Sequence, residues 1–156
     1  MSEHPATIHW ERSGEDFLKG KYSHEHMWSF DGGMTVPASP SPSVVPAPYS
    51  NPAHVDPEEA FGAAVSSCHL LTFLYVASRH GFQVDCYEDK AFGTMTKNEQ
   101  GVPWISFITL NPRIAYSGPK LPPPADDKLF HLLAHEQCYI ANSIKTEVKI
   151  GGARGA

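Results

Sequence analysis

Residues 56–82 read DPEEAFGAAVSSCHLLTFLYVASRHGF, and the fold turns on whether this stretch is a single helix. Asp56 suits the N-cap, and Pro57 suits the first helical position, where its missing N–H costs nothing. Glu58 and Glu59 place negative charge at the positive end of the helix dipole. The spacing predicts a helix to about His80, with Arg79 and His80 near its negative end and Gly81 as the C-terminal stop. From Phe61 to Ala77 it is apolar almost all round. Such a helix is expected to be buried on most faces, at the centre of an assembly.

Cys68 and His69 sit in the middle of this helix. Cys68 lies about three turns from the positive end, where the dipole does little to lower a thiol pKa. Two readings are open. Free cysteine is among the most buried residue types, so Cys68 can be packing. It can also be a reactive thiolate, if a cation or hydrogen-bond donor reaches it from elsewhere.

Working outward, Ala6–Trp10 reads as a short strand, followed by the turn-rich RSGED. Residues 22–30 (YSHEHMWSF) alternate strictly, which puts Tyr22, His24, His26, Trp28 and Phe30 on one face of a strand. Gly32-Gly33 then turns the chain into Met34–Val36. Residues 37–57 hold seven of the 14 prolines and form a stiff connector, suited to carrying the first strands to a second subunit. Beyond the helix, Val84–Lys97 and Val102–Tyr116 are strand-like runs joined by the turn NEQG. GPKLPPPAD is a rigid loop, Asp126 is placed to cap a second helix through Cys138, and Thr146–Ile150 is a last strand. The tail, residues 151–156, reads as flexible. The order is that of a single α+β domain over residues 1–156.

The 156 residues carry 12 Lys and Arg against 17 Asp and Glu, a net charge of -5. That balance argues against nucleic acid and against anionic membranes. No apolar run is expected to span a bilayer, and MSEHPATIHW lacks the regions of a signal peptide, so a cytoplasmic protein is expected. Three cysteines, Cys68, Cys86 and Cys138, stand far apart with no CxxC pair, which fits neither a disulfide framework nor a zinc site.

The segment 56–82, followed some 70 residues after its cysteine by HEQCYIANSIKTEVKI, resembles the OsmC/Ohr family of thiol peroxidases. That family carries an Asn/Asp-Pro-Glu start, paired alanines and a cysteine on its central helix. Its second cysteine ends a later helix, before the last strand. The matching positions here are Asp56-Pro57-Glu58, Ala63-Ala64, Cys68 and Cys138. The opening IHWERSGEDFLKGKYSHEHMWSFDGG is similar to the family's N-terminal sheet, so the resemblance covers nearly the whole chain.

The resemblance implies an intertwined homodimer, with two central helices flanked by antiparallel β-sheets. It implies that Cys68 attacks an organic hydroperoxide and becomes a sulfenic acid, which Cys138 resolves as an intramolecular disulfide. A small dithiol or a thioredoxin-like reductant would reset it, with no cofactor and no metal. Phe61, Leu71, Trp28 and Phe30 are candidate pocket residues. Glu58 is the implied catalytic acid. On a straight helix its ten-residue offset from Cys68 is a rise of about 15 Å, so the two meet only through a broken helix or a partner subunit.

The family also uses an arginine from the N-terminal sheet. Here Lys21–Pro57 contains none; Arg12 falls in the first turn and Arg113 in a later strand. His24 and His26 can replace it only when protonated. Cys86 reads as a structural cysteine, and His69 as a core histidine satisfied by a partner. Two other functions stay open. One is a catalytically degenerate relative that binds a small ligand or partner. The other is metal binding through His131, His135 and Cys138, spaced i, i+4 and i+7 along one helix face.

Overall fold

The computed structural model describes residues 1–13 and 16–151, so the expected flexible tail beyond Gly151 and the middle of the first turn lie outside the described residues. The chain forms two compact units, Met1–Ala60 and Phe61–Ala156.

The first unit is built on a three-stranded antiparallel sheet of β1 (Ala6–His9), β2 (His26–Phe30) and β3 (Thr35–Ala38), in that order. Ile8 faces Trp28, and Trp28 faces Val36. The β2–β3 turn uses Gly33 at φ +85°, a backbone conformation that costs glycine nothing. The strand expected from Tyr22 starts only at His26. Before it, the Ser23 hydroxyl receives the Glu25 N–H, and the His24 N–H is drawn to the Tyr49 carbonyl, so the ladder cannot extend. The proline-rich segment is tied back onto β3: Ala38 bridges Val55, and Ser39 Oγ receives the Asn51 N–H at 2.8 Å. Pro37 is tolerated because β3 is an edge strand.

Helix α1 runs from Pro57 to Arg79. Its start is a reciprocal box: the Glu59 N–H donates to Asp56 Oδ1 at 2.7 Å, and the Asp56 N–H to Glu59 Oε2 at 3.3 Å. At its end Gly81 takes φ +80°, the Phe82 N–H bonds the Ala77 carbonyl, and the Gly81 N–H bonds the Ser78 carbonyl. These two bonds satisfy carbonyls that a helix otherwise leaves open. By length and composition α1 reaches the size of a bilayer span, which corrects the expectation that no segment does. Its buried residues, Val65, His69, Phe73, Val76 and Ala77, face protein instead. Leu71, Tyr75 and Leu74 remain exposed on the chain by itself, so the helix buries a stripe rather than most of its faces.

In the second unit the two long strand-like runs are each broken. They become β4 (Gln83–Asp89), β5 (Phe92–Lys97), β6 (Pro103–Leu110) and β7 (Pro112–Ser117). Asp89 and Asn111 make the corner: Asp89 Oδ1 receives the Asn111 N–H at 2.6 Å, and the Asn111 amide donates to the Lys90 carbonyl. β4 pairs antiparallel with β7, and β5 antiparallel with β6. The last strand, β8 (Glu147–Ile150), joins β6 in parallel. Helix α2 runs from Pro124 to Gln137; its N-cap is Pro123, and Asp126 lies in its first turn rather than capping it. Phe73, Val76, Ala77, Phe82, Phe130 and Ala134 form one core, and Val65, Ile108 and Leu110 a second. Burying each large apolar side chain there contributes roughly 2 kcal/mol.

Candidate functional site

Cys68 sits mid-way along α1 and is half-buried, while Cys138 lies just past the end of α2 and is buried. Although 70 residues apart in sequence, the two thiols are brought close enough for Cys68 to perturb Cys138. The chain turns out of α2 at Cys138 with φ -70° and ψ 115°. The Cys138 N–H reaches the His135 carbonyl, and the Asn142 side chain donates to the carbonyls of both Glu136 and Cys138. The Ala141 N–H donates to Cys138 Sγ at 3.3 Å. Burial, followed by the neighbouring Cys68 thiol, pushes the Cys138 thiol up to about 11; the backbone N–H groups of Ala141 and Ile140 oppose this. Cys138 is therefore a thiol at neutral pH.

His69, next to Cys68, points into the core. Its Nε2 lies 3.0 Å from Nδ1 of His131 on α2, with the rings stacked at 6°. Burial and the nearby His131 and His135 hold His69 down to about 4. Burial also lowers His131, against the pull of Asp127 and Asp89. Both imidazoles are neutral at pH 7, so neither supplies a cation to Cys68. Ser66, two residues before Cys68, donates its hydroxyl to Asp89, and Tyr116 donates to Asp127, so α1 and α2 are each pinned to the strands.

The other residues singled out by sequence are placed as follows. Glu58 is half-buried in the first turn of α1, which continues without interruption to Arg79. Phe61 packs against the core of Val65, Ile108 and Leu110, whereas Leu71 is 66% exposed. In the first unit Trp28 is half-buried and Phe30 exposed on β2. His24 and His26 do not share a strand face: the His24 ring contacts the Tyr49 carbonyl, and the His26 ring contacts the His24 carbonyl.

Two expectations are corrected. Cys86 is exposed rather than structural, because a bulge between Val84 and Cys86 turns Val84 and Tyr87 inward and Cys86 out. The His131, His135, Cys138 metal reading fails on geometry. Cys138 has left the helix, His131 is engaged with His69, and no group of three metal-binding side chains is found among the described residues. His69 is the partner-satisfied core histidine expected from sequence, but the identity of its partner, His131, was missed. The i, i+4 pattern of histidines on α2 pointed to a metal rather than to a partner on α1.

Residues 50–151 match the family described as OsmC-like protein. A solved structure of an OsmC-like protein of unknown function from Vibrio cholerae is 46% identical, covers 97% of this chain and 99% of that one, and superposes with a TM-score of 0.94. An organic hydroperoxide resistance protein, OsmC, from Legionella pneumophila shares 13% identity at a TM-score of 0.73, covering 99% of this chain and 98% of that one. The organic hydroperoxide resistance protein OhrB of Bacillus subtilis shares 18% identity at a TM-score of 0.61, covering 94% and 96%. These two likenesses concern the fold. Comparison with curated proteins found no match.

Proposed function

Because the chain belongs to the OsmC-like protein family, we propose that it is a cysteine-based thiol peroxidase that reduces organic hydroperoxides to alcohols. The observation that carries this reading is the contact between Cys68 and Cys138. A thiolate at Cys68 attacks an oxygen of the hydroperoxide; the O–O bond breaks, the leaving alkoxide takes a proton, and Cys68 becomes a sulfenic acid. The Cys138 thiol then attacks that sulfur, and its proton leaves with the hydroxyl as water, closing a disulfide. An external dithiol, or a thioredoxin-like protein, restores both thiols by exchange and is itself oxidised.

The half-exposed Cys68 suits the first attack, and the buried Cys138 suits a group that meets only its neighbour. We place the protein in the cytoplasm as a homodimer, where reduced thiols persist. In that dimer Glu58, as the acid, comes from the opposite subunit, since an unbroken helix holds it about 15 Å from Cys68 of its own chain.

A second reading is favoured by one observation, the lack of any arginine between Lys21 and Pro57. In that reading the protein is a degenerate relative that binds a small apolar ligand or a partner without turnover. Consumption of cumene hydroperoxide in the presence of dithiothreitol separates the two. The peroxidase reading expects multiple turnovers, lost in Cys68→Ser. Wild-type protein that consumes no hydroperoxide, with Cys68 unmodified afterwards, supports the degenerate reading.

A further inference from the structure

Among the described residues, two side-chain hydrogen bonds tie α2 to α1 and the strands. Tyr116 bonds Asp127 in the first turn of α2, and His69 bonds His131 in its middle. The hydrogen bonds made by the backbone and sulfur of Cys138 stay within residues 135–142 and hold that turn together. Past His131, α2 gives the core Ala134, with Leu133 beside it, whereas the larger Phe130 comes before. Beyond Cys138, Ile140 packs on the second core. The stretch from His131 to Cys138 therefore lies between two anchors, with the histidine pair as its polar fastening.

That fastening has no room for a second proton. His69 and His131 are buried at 1% and 5% exposure, and one N–H already bridges them. Protonating the pair sets N–H against N–H. The outer nitrogens, His69 Nδ1 and His131 Nε2, have no hydrogen-bond partner among the described residues. Of the groups that face the pair, His135 on α2 sets another imidazole near His69. Asp127 on α2 and Asp89 on β4 draw on His131. Both acids are engaged elsewhere: Asp127 accepts the Tyr116 hydroxyl of β7, and Asp89 the Ser66 hydroxyl of α1 and the Asn111 N–H. Tyr87 on β4 packs on Phe73, which lies against His131.

We propose that the His69–His131 pair is a proton-operated latch: protonation parts α2 from α1 at His131 and brings Cys138, buried at the end of α2, to solvent. The opening is local, and α1 and the strands stay folded. His69 takes a proton at about 4 when closed and at its ordinary 6.5 when open, so the open form binds it first as pH falls. From His69 alone, the open fraction rises about thirtyfold between pH 7.5 and 5. On the thiol-peroxidase reading, this puts access to the resolving thiol under the control of pH.

Cys68→Ser with Cys86→Ser leaves Cys138 as the single thiol. Its reaction with 4,4′-dithiodipyridine, a reagent that also works in acid, is followed from pH 7.5 to 5. Dividing each rate by that of the same protein unfolded in urea removes the reagent's own pH dependence. The quotient should rise about thirtyfold as pH falls. His69→Gln, which donates and accepts but does not titrate, should keep it flat; His131→Gln serves if that variant melts early. Backbone hydrogen exchange in β4 and β7, corrected for its intrinsic rate, should not rise in parallel. A flat curve for the histidine-bearing protein, or an equal rise in the glutamine variant, overturns the proposal. A matching rise of exchange across β4 and β7 overturns it too, because global unfolding then exposes Cys138. No hydroperoxide enters the experiment, so the peroxidase reading stands or falls separately.

Discussion

His69 Nε2 and His131 Nδ1 lie 3.0 Å apart, joining the middle of α1 to α2 through two stacked imidazoles. Such a pair holds only while one ring donates and the other accepts. If both rings are protonated, two N–H groups face each other.

From this pair follows a stability that depends on pH. His69 is held near 4 in the folded chain, below its ordinary value of 6.5, so the unfolded chain binds the extra proton first. Stability from this group is therefore complete above about pH 6.5 and falls as pH drops through that value. The loss levels off near pH 4, at on the order of 3 kcal/mol. Melting temperatures measured from pH 7.5 to 4 should show this decline, and His69→Gln should flatten it. Parallel curves for the two proteins would remove His69 as the cause.

At the other end of the same helix, Asp56→Ala should lower stability by about 1 kcal/mol, because it frees the Glu59 N–H that Asp56 Oδ1 now accepts. Asp56→Asn, which keeps an acceptor oxygen, should recover most of that loss in denaturant unfolding. An alanine variant as stable as wild type would show that Glu59 and solvent suffice at this terminus.

How much of this was legible in the sequence depends on how local the cause was. The start and stop of α1 were readable because Asp56, Pro57, Glu59 and Gly81 act within a few residues of themselves. The breaks between β4 and β5 and between β6 and β7 were not, since the corner is made by Asp89 reaching Asn111, 22 residues away. Strict alternation over residues 22–30 suggested one long strand, but the Ser23 hydroxyl and the distant Tyr49 carbonyl claim the backbone first. Cys86 was misread because a single bulge reverses which residues of β4 face the core. Neither the Cys68–Cys138 contact nor the His69–His131 pair follows from periodicity. The first was expected from family resemblance alone, and for the second the sequence marked His69 as a core histidine with a partner but not which residue that partner is.

The exposed apolar side chains of α1 bear on the proposed dimer. Leu71 is 66% and Tyr75 61% exposed in the single chain, on a helix whose Phe73, Val76 and Ala77 join the core. Sedimentation should give about twice the 17.1 kDa chain mass at micromolar concentration. Leu71→Glu should shift the protein towards the monomer, by placing a charge where an apolar contact is expected. A wild-type protein that sediments as a stable monomer would remove the dimer, and with it the source of Glu58.

Contact, rather than exposure, should decide which thiols pair on oxidation. Cys68 and Cys138 are in contact, whereas Cys86 stands exposed on β4. Exposure favours reaction with other molecules, but a fixed neighbour acts at a far higher effective concentration than any partner in dilute solution. One equivalent of cumene hydroperoxide should therefore give a Cys68–Cys138 disulfide within one chain and leave Cys86 alkylatable, as mapped by mass spectrometry. Cys138→Ser should consume a single equivalent and leave Cys68 as sulfenic acid, advancing to the sulfinic form with excess peroxide because nothing is left to capture it. The closed loop also constrains the unfolded chain, by roughly 4 kcal/mol for a loop of this length. Oxidised wild type should accordingly melt above the reduced protein. Disulfides found mainly between Cys86 residues of different chains, with Cys68 still reduced, would mean that Cys68 is packing and that the contact with Cys138 has no redox role.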